Sequence, residues 1–160
     1  MSKITPCLWF DKGAEEAARF YVSLLPGSRV DNVTALQADS PSGPAGSVQV
    51  VEFTLAGQSY MAMDAGPFDP FNHEISFVID CADQAELDRL WEALLDGGTP
   101  EQCGWLKDRY GVSWQIVPAA LGRMMKDKDP KKARRAAGAM MKMVKFDIAA
   151  LEAAFEGRAG

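Results

Sequence analysis

Long apolar runs are missing from this 160-residue sequence: no stretch of 18 apolar residues occurs, so no membrane partner is expected. The opening MSKITPCLWFDKG has no apolar run of signal-peptide length, and a cytoplasmic location is the expectation. Cysteine is scarce too. Cys7, Cys81 and Cys103 are an odd number without C-x-x-C spacing, which fits free thiols in a reducing compartment. Neither sign of charge dominates. The net value is −5 and both signs are mixed along the chain, which argues against a nucleic-acid partner bound by phosphate neutralisation. The one basic run, KDKDPKKARR at 126–135, is broken by Asp127 and Asp129 and reads as a solvated helix surface.

What is present is a repeat. GQSYMAM at 57–63 returns as GVSWQIV at 111–117. Upstream, FYVSLLPG at 20–27 lines up with LWEALLDG at 90–97, and LWFD at 8–11 with FVID at 77–80. Each half therefore reads as a strand, a helix and further strands. Ala14, Ala17, Ala18, Tyr21, Leu24 and Leu25 recur at helical spacing and Pro26-Gly27 ends the helix. Asp83 and Glu86 form a capping pair before the stripe Leu87, Leu90, Trp91, Leu94 and Leu95, and Gly97-Gly98 supplies the exit. The spacing between glycines differs: 30 residues from Gly27 to Gly57, but 14 from Gly97 to Gly111. The first half has room for strands near 29–37 and 48–55 around an exposed loop at 38–46, and the second for short strands near 99–108.

The expected fold is α+β: two βαβββ modules (3–64 and 72–118) forming a curved mixed sheet around a shared cavity, with C-terminal helices over 119–157. Asp129-Pro130 and Asp147 are helix starts, and Phe146 is placed to staple onto Leu151. Met140, Met141 and Met143 read as core or interface filling.

Paired βαβββ modules with ITPCLWFD, AARFYVSLLPGS, ISFVIDC and QCGWLKDRYGVSWQIVP resemble the vicinal oxygen chelate superfamily of glyoxalases, bleomycin-resistance proteins and extradiol dioxygenases. More narrowly, they resemble its PhnB-like family, catalogued as 3-demethylubiquinone-9 3-methyltransferase-like. The catalogued methyl transfer finds no support in the residues, because the chain has no G-x-G turn and no strand–helix order for a parallel cofactor sheet.

Side chains alternate along a strand. Ile75, Phe77 and Ile79 are expected under the helix, leaving Glu74, Ser76 and Val78 on the concave face. Trp114 and Ile116 likewise leave Ser113, Gln115 and Val117, and by the repeat Ser59, Met61 and Met63 join them. Leu8 and Phe10 go under, so Thr5, Cys7 and Trp9 face the cavity. The resemblance implies four metal-ligand positions, matching Thr5 or Pro6, Met61, Glu74 and Gln115. Only Glu74 is a good hard-metal ligand, so the expected cofactor is none, with a divalent metal at Glu74 as the alternative. His73 points away from this face if the alternation holds.

The chain therefore reads as a small-molecule-binding protein of the PhnB-like type. One form is an enzyme on a small aromatic or amphipathic substrate, with Glu74 as the catalytic acid or base, placed for that work by burial among Trp9, Met61 and Met63. The other is a sequestration protein of the resistance type. In either form the ligand meets Cys7, Trp9, Phe53, Ser59, Met61, Met63, Ser76, Ser113 and Gln115. A third reading is an interaction protein that works through its C-terminal helices. A homodimer is expected, because module edges and the Met-rich tail leave apolar surface uncovered.

Overall fold

The computed structural model describes residues 3–158, and the chain divides into two compact units, one up to Asp69 and one from Pro70. The first contains β1 (Cys7–Phe10), α1 (Ala14–Leu24), β2 (Arg29–Ala35), β3 (Gln49–Leu55) and β4 (Gln58–Asp64). Its sheet has the order β1-β4-β3-β2, with β1 parallel to β4 and the other pairs antiparallel. The second contains β5 (Phe77–Cys81), α2 (Gln84–Leu95), β6 (Thr99–Pro100), β7 (Trp105–Lys107) and β8 (Ser113–Pro118), in the order β5-β8-β7-β6. The same βαβββ winding occurs twice, as the repeat requires.

In the first unit α1 packs on one face of the sheet. Ala14, Ala17, Ala18 and Tyr21 are its buried stripe, and Leu8, Phe10, Val51, Phe53, Leu55 and Ala62 are the buried strand residues. Small side chains on the helix let it lie close to the sheet while Tyr21 and Phe53 fill the remaining volume. The helix start is unusual: Gly13 sits at φ 88° and has no capping side chain. Asp64, at the end of β4, supplies the cap, its Oδ1 accepting from the Ala14 N–H at 2.7 Å.

The second unit buries Leu87, Leu90, Trp91 and Leu94 of α2 with Leu106, Trp114 and Ile116 of the sheet. Asp83 caps α2 as its spacing predicts, accepting from the Glu86 N–H at 2.9 Å. Glu86 reaches back to the Ala82 N–H at 2.8 Å, one residue before the cap. Ile75 departs from expectation. It lies in the turn before β5 and is 75% exposed, because the strand begins at Phe77 and alternation has no hold before that.

The tail forms α3 (Ala119–Met125), α4 (Pro130–Met140) and α5 (Ile148–Glu156) within the second unit. Asp129 and Asp147 cap the last two as their sequence predicts. Gln84 ties α5 to α2: its amide donates to the Phe146 carbonyl at 3.1 Å and accepts from the Ile148 N–H at 2.8 Å. Cys103 and Gly104 donate backbone N–H groups to the Met143 and Val144 carbonyls, 2.8 Å each. In the basic run, Arg135 donates to the Ala154 and Phe155 carbonyls at the end of α5, where a cation suits the helix dipole.

Candidate functional site

Each sheet has one face against its helix and one face pointing the other way, and the registers fix which side chains share the latter. In the first sheet, Cys7 pairs with Met61, Met61 with Glu52, and Glu52 with Asn32, so these four form a row across the face. Trp9, Met63 and Val50 form the next row, and Ser59 lies beside Thr54. Cys7, Trp9, Ser59, Met61 and Met63 therefore share the face that alternation assigned to them. Cys7 and Ser59 are exposed and the two methionines half-buried. Trp9 is 42% exposed, donates its Nε1–H to the Gly66 carbonyl at 2.9 Å, and lies 5.5 Å from the Phe68 ring.

Phe53 is not on this face. It is 1% exposed among the residues that pack under α1, stacked at 5.5 Å on Tyr60. Its odd parity with Val51 and Leu55 puts it there, and its apolar character made it a misleading choice as a ligand contact. The residue that does face outward is Glu52, whose carboxylate accepts from the Asn32 amide at 3.3 Å. The pattern Val51-Glu52-Phe53 carries the signal for it.

In the second sheet, Val78 pairs with Gln115, Gln115 with Trp105, and the Trp105 carbonyl accepts from the Glu101 N–H at 2.8 Å. This row, Val78–Gln115–Trp105–Glu101, corresponds to Cys7–Met61–Glu52–Asn32. Val78 thus matches Cys7, two residues from the Trp9 that LWFD and FVID would give it. A shift of two leaves every side chain on its expected face. Gln115 donates its amide to the Ser76 hydroxyl at 2.9 Å. Ser113 has the parity of Gln115 but is 1% exposed, and its hydroxyl has no hydrogen-bond partner among the described residues.

Glu74 stands elsewhere. It is exposed in the turn before β5, where its own N–H donates to the Asn72 side chain at 2.9 Å. The chain has not yet become a strand there, so the concave position read from alternation does not apply, and the burial on which a catalytic role rested is missing. Its neighbour His73 is engaged instead. Nε2 lies 2.6 and 2.7 Å from the two Glu101 carboxylate oxygens, and the imidazole is 6.1 Å from the Trp105 ring.

The hairpin that presents Trp105 and Gln115 is built on Asp108, a buried carboxylate. Its Oδ1 accepts from the Tyr110 and Val112 N–H groups at 2.8 and 3.0 Å, and Oδ2 from the Trp114 indole at 2.9 Å. Asp108, Gly111 and Trp114 in KDRYGVSW are thus one device that folds the β7–β8 turn. Two thiols, Cys7 and Cys81, are poorly disposed to react. Desolvation by the sheet raises the Cys7 thiol even though the residue as a whole is exposed, and burial followed by Glu86 pushes Cys81 up to about 12.

The positions implied for a metal carry few suitable donors, each taken within its own unit. Thr5, Pro6, Met61 and Gln115 offer no hard anionic donor, and Glu74 is in an exposed turn. Among the described residues no group of three or more His, Cys, Asp and Glu side chains is placed to hold an ion.

Residues 2–117 match the family described as 3-demethylubiquinone-9 3-methyltransferase. A solved structure described as a putative 3-demethylubiquinone-9 3-methyltransferase, PhnB protein, from Bacillus cereus is 32% identical. It is matched over 74% of this chain and 100% of its own, with a TM-score of 0.64. Protein PA1353 from Pseudomonas aeruginosa is 26% identical over 71% of this chain and 95% of its own, with a TM-score of 0.54. The fosfomycin resistance protein FosX from Mesorhizobium loti is 12% identical over 79% of this chain and 100% of its own, with a TM-score of 0.55, a likeness of fold alone. No curated protein matches. With three-quarters of its length matched and the doubled βαβββ winding in place, the chain belongs to the PhnB-like family described as 3-demethylubiquinone-9 3-methyltransferase, within the vicinal oxygen chelate fold.

Proposed function

We propose that the chain binds small aromatic or amphipathic molecules on the helix-free face of each sheet, taken by itself, without a metal. The observation that carries this is the composition of the two rows. Trp9, Met61 and Met63 offer apolar contact next to the Glu52 carboxylate, and Trp105 offers a ring next to the Gln115 amide. Apolar area with a few placed polar groups is what a small-molecule site needs. Methyl transfer, which the family's description names, gains no support from sheets that each contain a single parallel pair.

The test is equilibrium dialysis of the purified protein against 4-nitroanisole, an uncharged aromatic probe, with elemental analysis of the same preparation. Saturable binding weakened several-fold by Trp9→Ala or Trp105→Ala is expected, with no stoichiometric transition metal. Absence of saturable binding, or binding indifferent to both substitutions, would overturn the reading. A homodimer belongs to it, since Val78 is 56% exposed and apolar area of this kind is commonly covered by a second copy. Sedimentation showing only monomer at tens of micromolar, roughly where weak dimers still form, would remove that part.

A further inference from the structure

The row on the second sheet ends in a pair of groups for which plain binding of an apolar molecule has no use. A carboxylate only accepts hydrogen bonds, so with Nε2 at 2.6 Å from Glu101 the neutral His73 ring must carry its proton on Nε2. The lone pair is then on Nδ1, which no hydrogen bond engages among the described residues. The ring is half exposed, while Glu101 is more covered. This is a base whose tautomer and orientation are set by an acid behind it, the arrangement that makes imidazole effective in proton transfer. The Trp105 ring lies 6.1 Å from the imidazole at 40°, and Gln115, bonded to Ser76, is the next residue along the row.

Resting on the small-molecule reading above, we infer that the ligand is a planar aromatic bearing a weakly acidic hydroxyl, which lies against Trp105 and gives its proton to His73. The hydroxyl O–H bond breaks, the electron pair stays on oxygen as a phenolate-type anion, and the proton goes to Nδ1. The imidazolium so formed keeps its Nε2–H on Glu101, whose negative charge balances it. His73 is the proton acceptor and Glu101 the residue that positions it. The glutamate's contribution is therefore to selectivity between a hydroxyl and an ether, not to aromatic contact.

The experiment compares 4-nitrophenol with 4-nitroanisole, which has no proton to give, by equilibrium dialysis on the full chain. His73→Phe keeps an aromatic ring of similar size and removes the base. It is expected to weaken 4-nitrophenol by about tenfold, the scale of one hydrogen bond to a charged group, and to leave 4-nitroanisole within a factor of about two. Glu101→Ala should lower the phenol's preference over the ether without changing the ether's affinity, an effect that loss of structure would not produce. Because His73 is the only histidine, its ring nitrogens give unambiguous 15N signals. The ligand-free protein should show the Nε2–H tautomer, and Glu101→Ala should mix the two. A phenol affinity unchanged by His73→Phe, or an Nδ1–H tautomer in the wild type, would overturn the inference while binding of 4-nitroanisole stands. Failure of both probes to bind would remove the small-molecule reading along with it.

Discussion

Asp108→Asn tests whether the second module's site stands on the carboxylate beneath its hairpin. Asp108 is 3% exposed and accepts hydrogen bonds from two backbone N–H groups and the Trp114 indole. An asparagine oxygen can replace Oδ1 and keep the two backbone bonds in neutral form. Its amide nitrogen then stands where Oδ2 was, facing the indole N–H, so two donors meet and a buried donor is left unpaired. Hydrogen bonds to charged groups contribute about 1.5–3 kcal/mol each and an unpaired buried donor costs about 1–3 kcal/mol. The expected loss is about 2–3 kcal/mol, measured by urea denaturation followed by far-ultraviolet circular dichroism with the slope unchanged. Trp114→Phe removes the clashing donor, so in that background Asp108→Asn should cost about 1 kcal/mol less, a coupling within the range for residues in direct contact. A loss below about 0.5 kcal/mol, or no coupling, would refute the account, since that is the size of an ordinary surface change.

Gly104→Ala should loosen the tail: a Cβ there would lie 2.4 Å from the Phe146 ring and 2.9 Å from the Ile116 carbonyl, at a φ of 79°. A loss of at least about 2 kcal/mol is expected, with faster hydrogen exchange in α5, and an unchanged midpoint would contradict it. Asp88 is held below its ordinary value of 3.8 by hydrogen bonds from Lys145 and then Gln84. Its stabilisation is complete above that value and lost as pH falls through the lower folded one. The stability gap between wild type and Asp88→Asn should thus be open at pH 7 and close in acid, and a gap indifferent to pH would reject it. Glu74→Gln should change stability by less than about 0.5 kcal/mol, because the residue is exposed, and a loss of several kcal/mol would make it a structural anchor.

The helices and their ends were legible because their signals are local. Asp83, Asp129 and Asp147 cap the helices that they were expected to cap, and Ala14, Ala17, Ala18 and Tyr21 are buried on the predicted stripe. The Asp64 cap on α1 was not legible, because donor and acceptor are 50 residues apart and only the β1–β4 register brings them together. His73–Glu101 was hidden in the same way, with 28 residues between the partners.

The candidate site divides along the same line. Inside β1, β4 and β8 alternation assigned faces well, since each pleat fixes the next. It failed at Glu74 and Ile75 because the rule was carried past the start of β5 into a turn. Phe53 failed for a different reason: it was chosen for its chemistry while its own strand pattern put it inside. The repeat was more forgiving, because matching Trp9 instead of Cys7 to Val78 is an error of two residues, and period two hides it. The true register then makes a statement that the alignment could not. The row that ends in Asn32 beside Glu52 in the first module ends in Glu101 beside Trp105 in the second, so the first module's strand-borne carboxylate has moved to the outermost position. There it meets His73, a residue of the segment leading into β5. Two modules with one winding thus present different chemistry from equivalent places, an apolar and acidic face on the first and an oriented imidazole on the second.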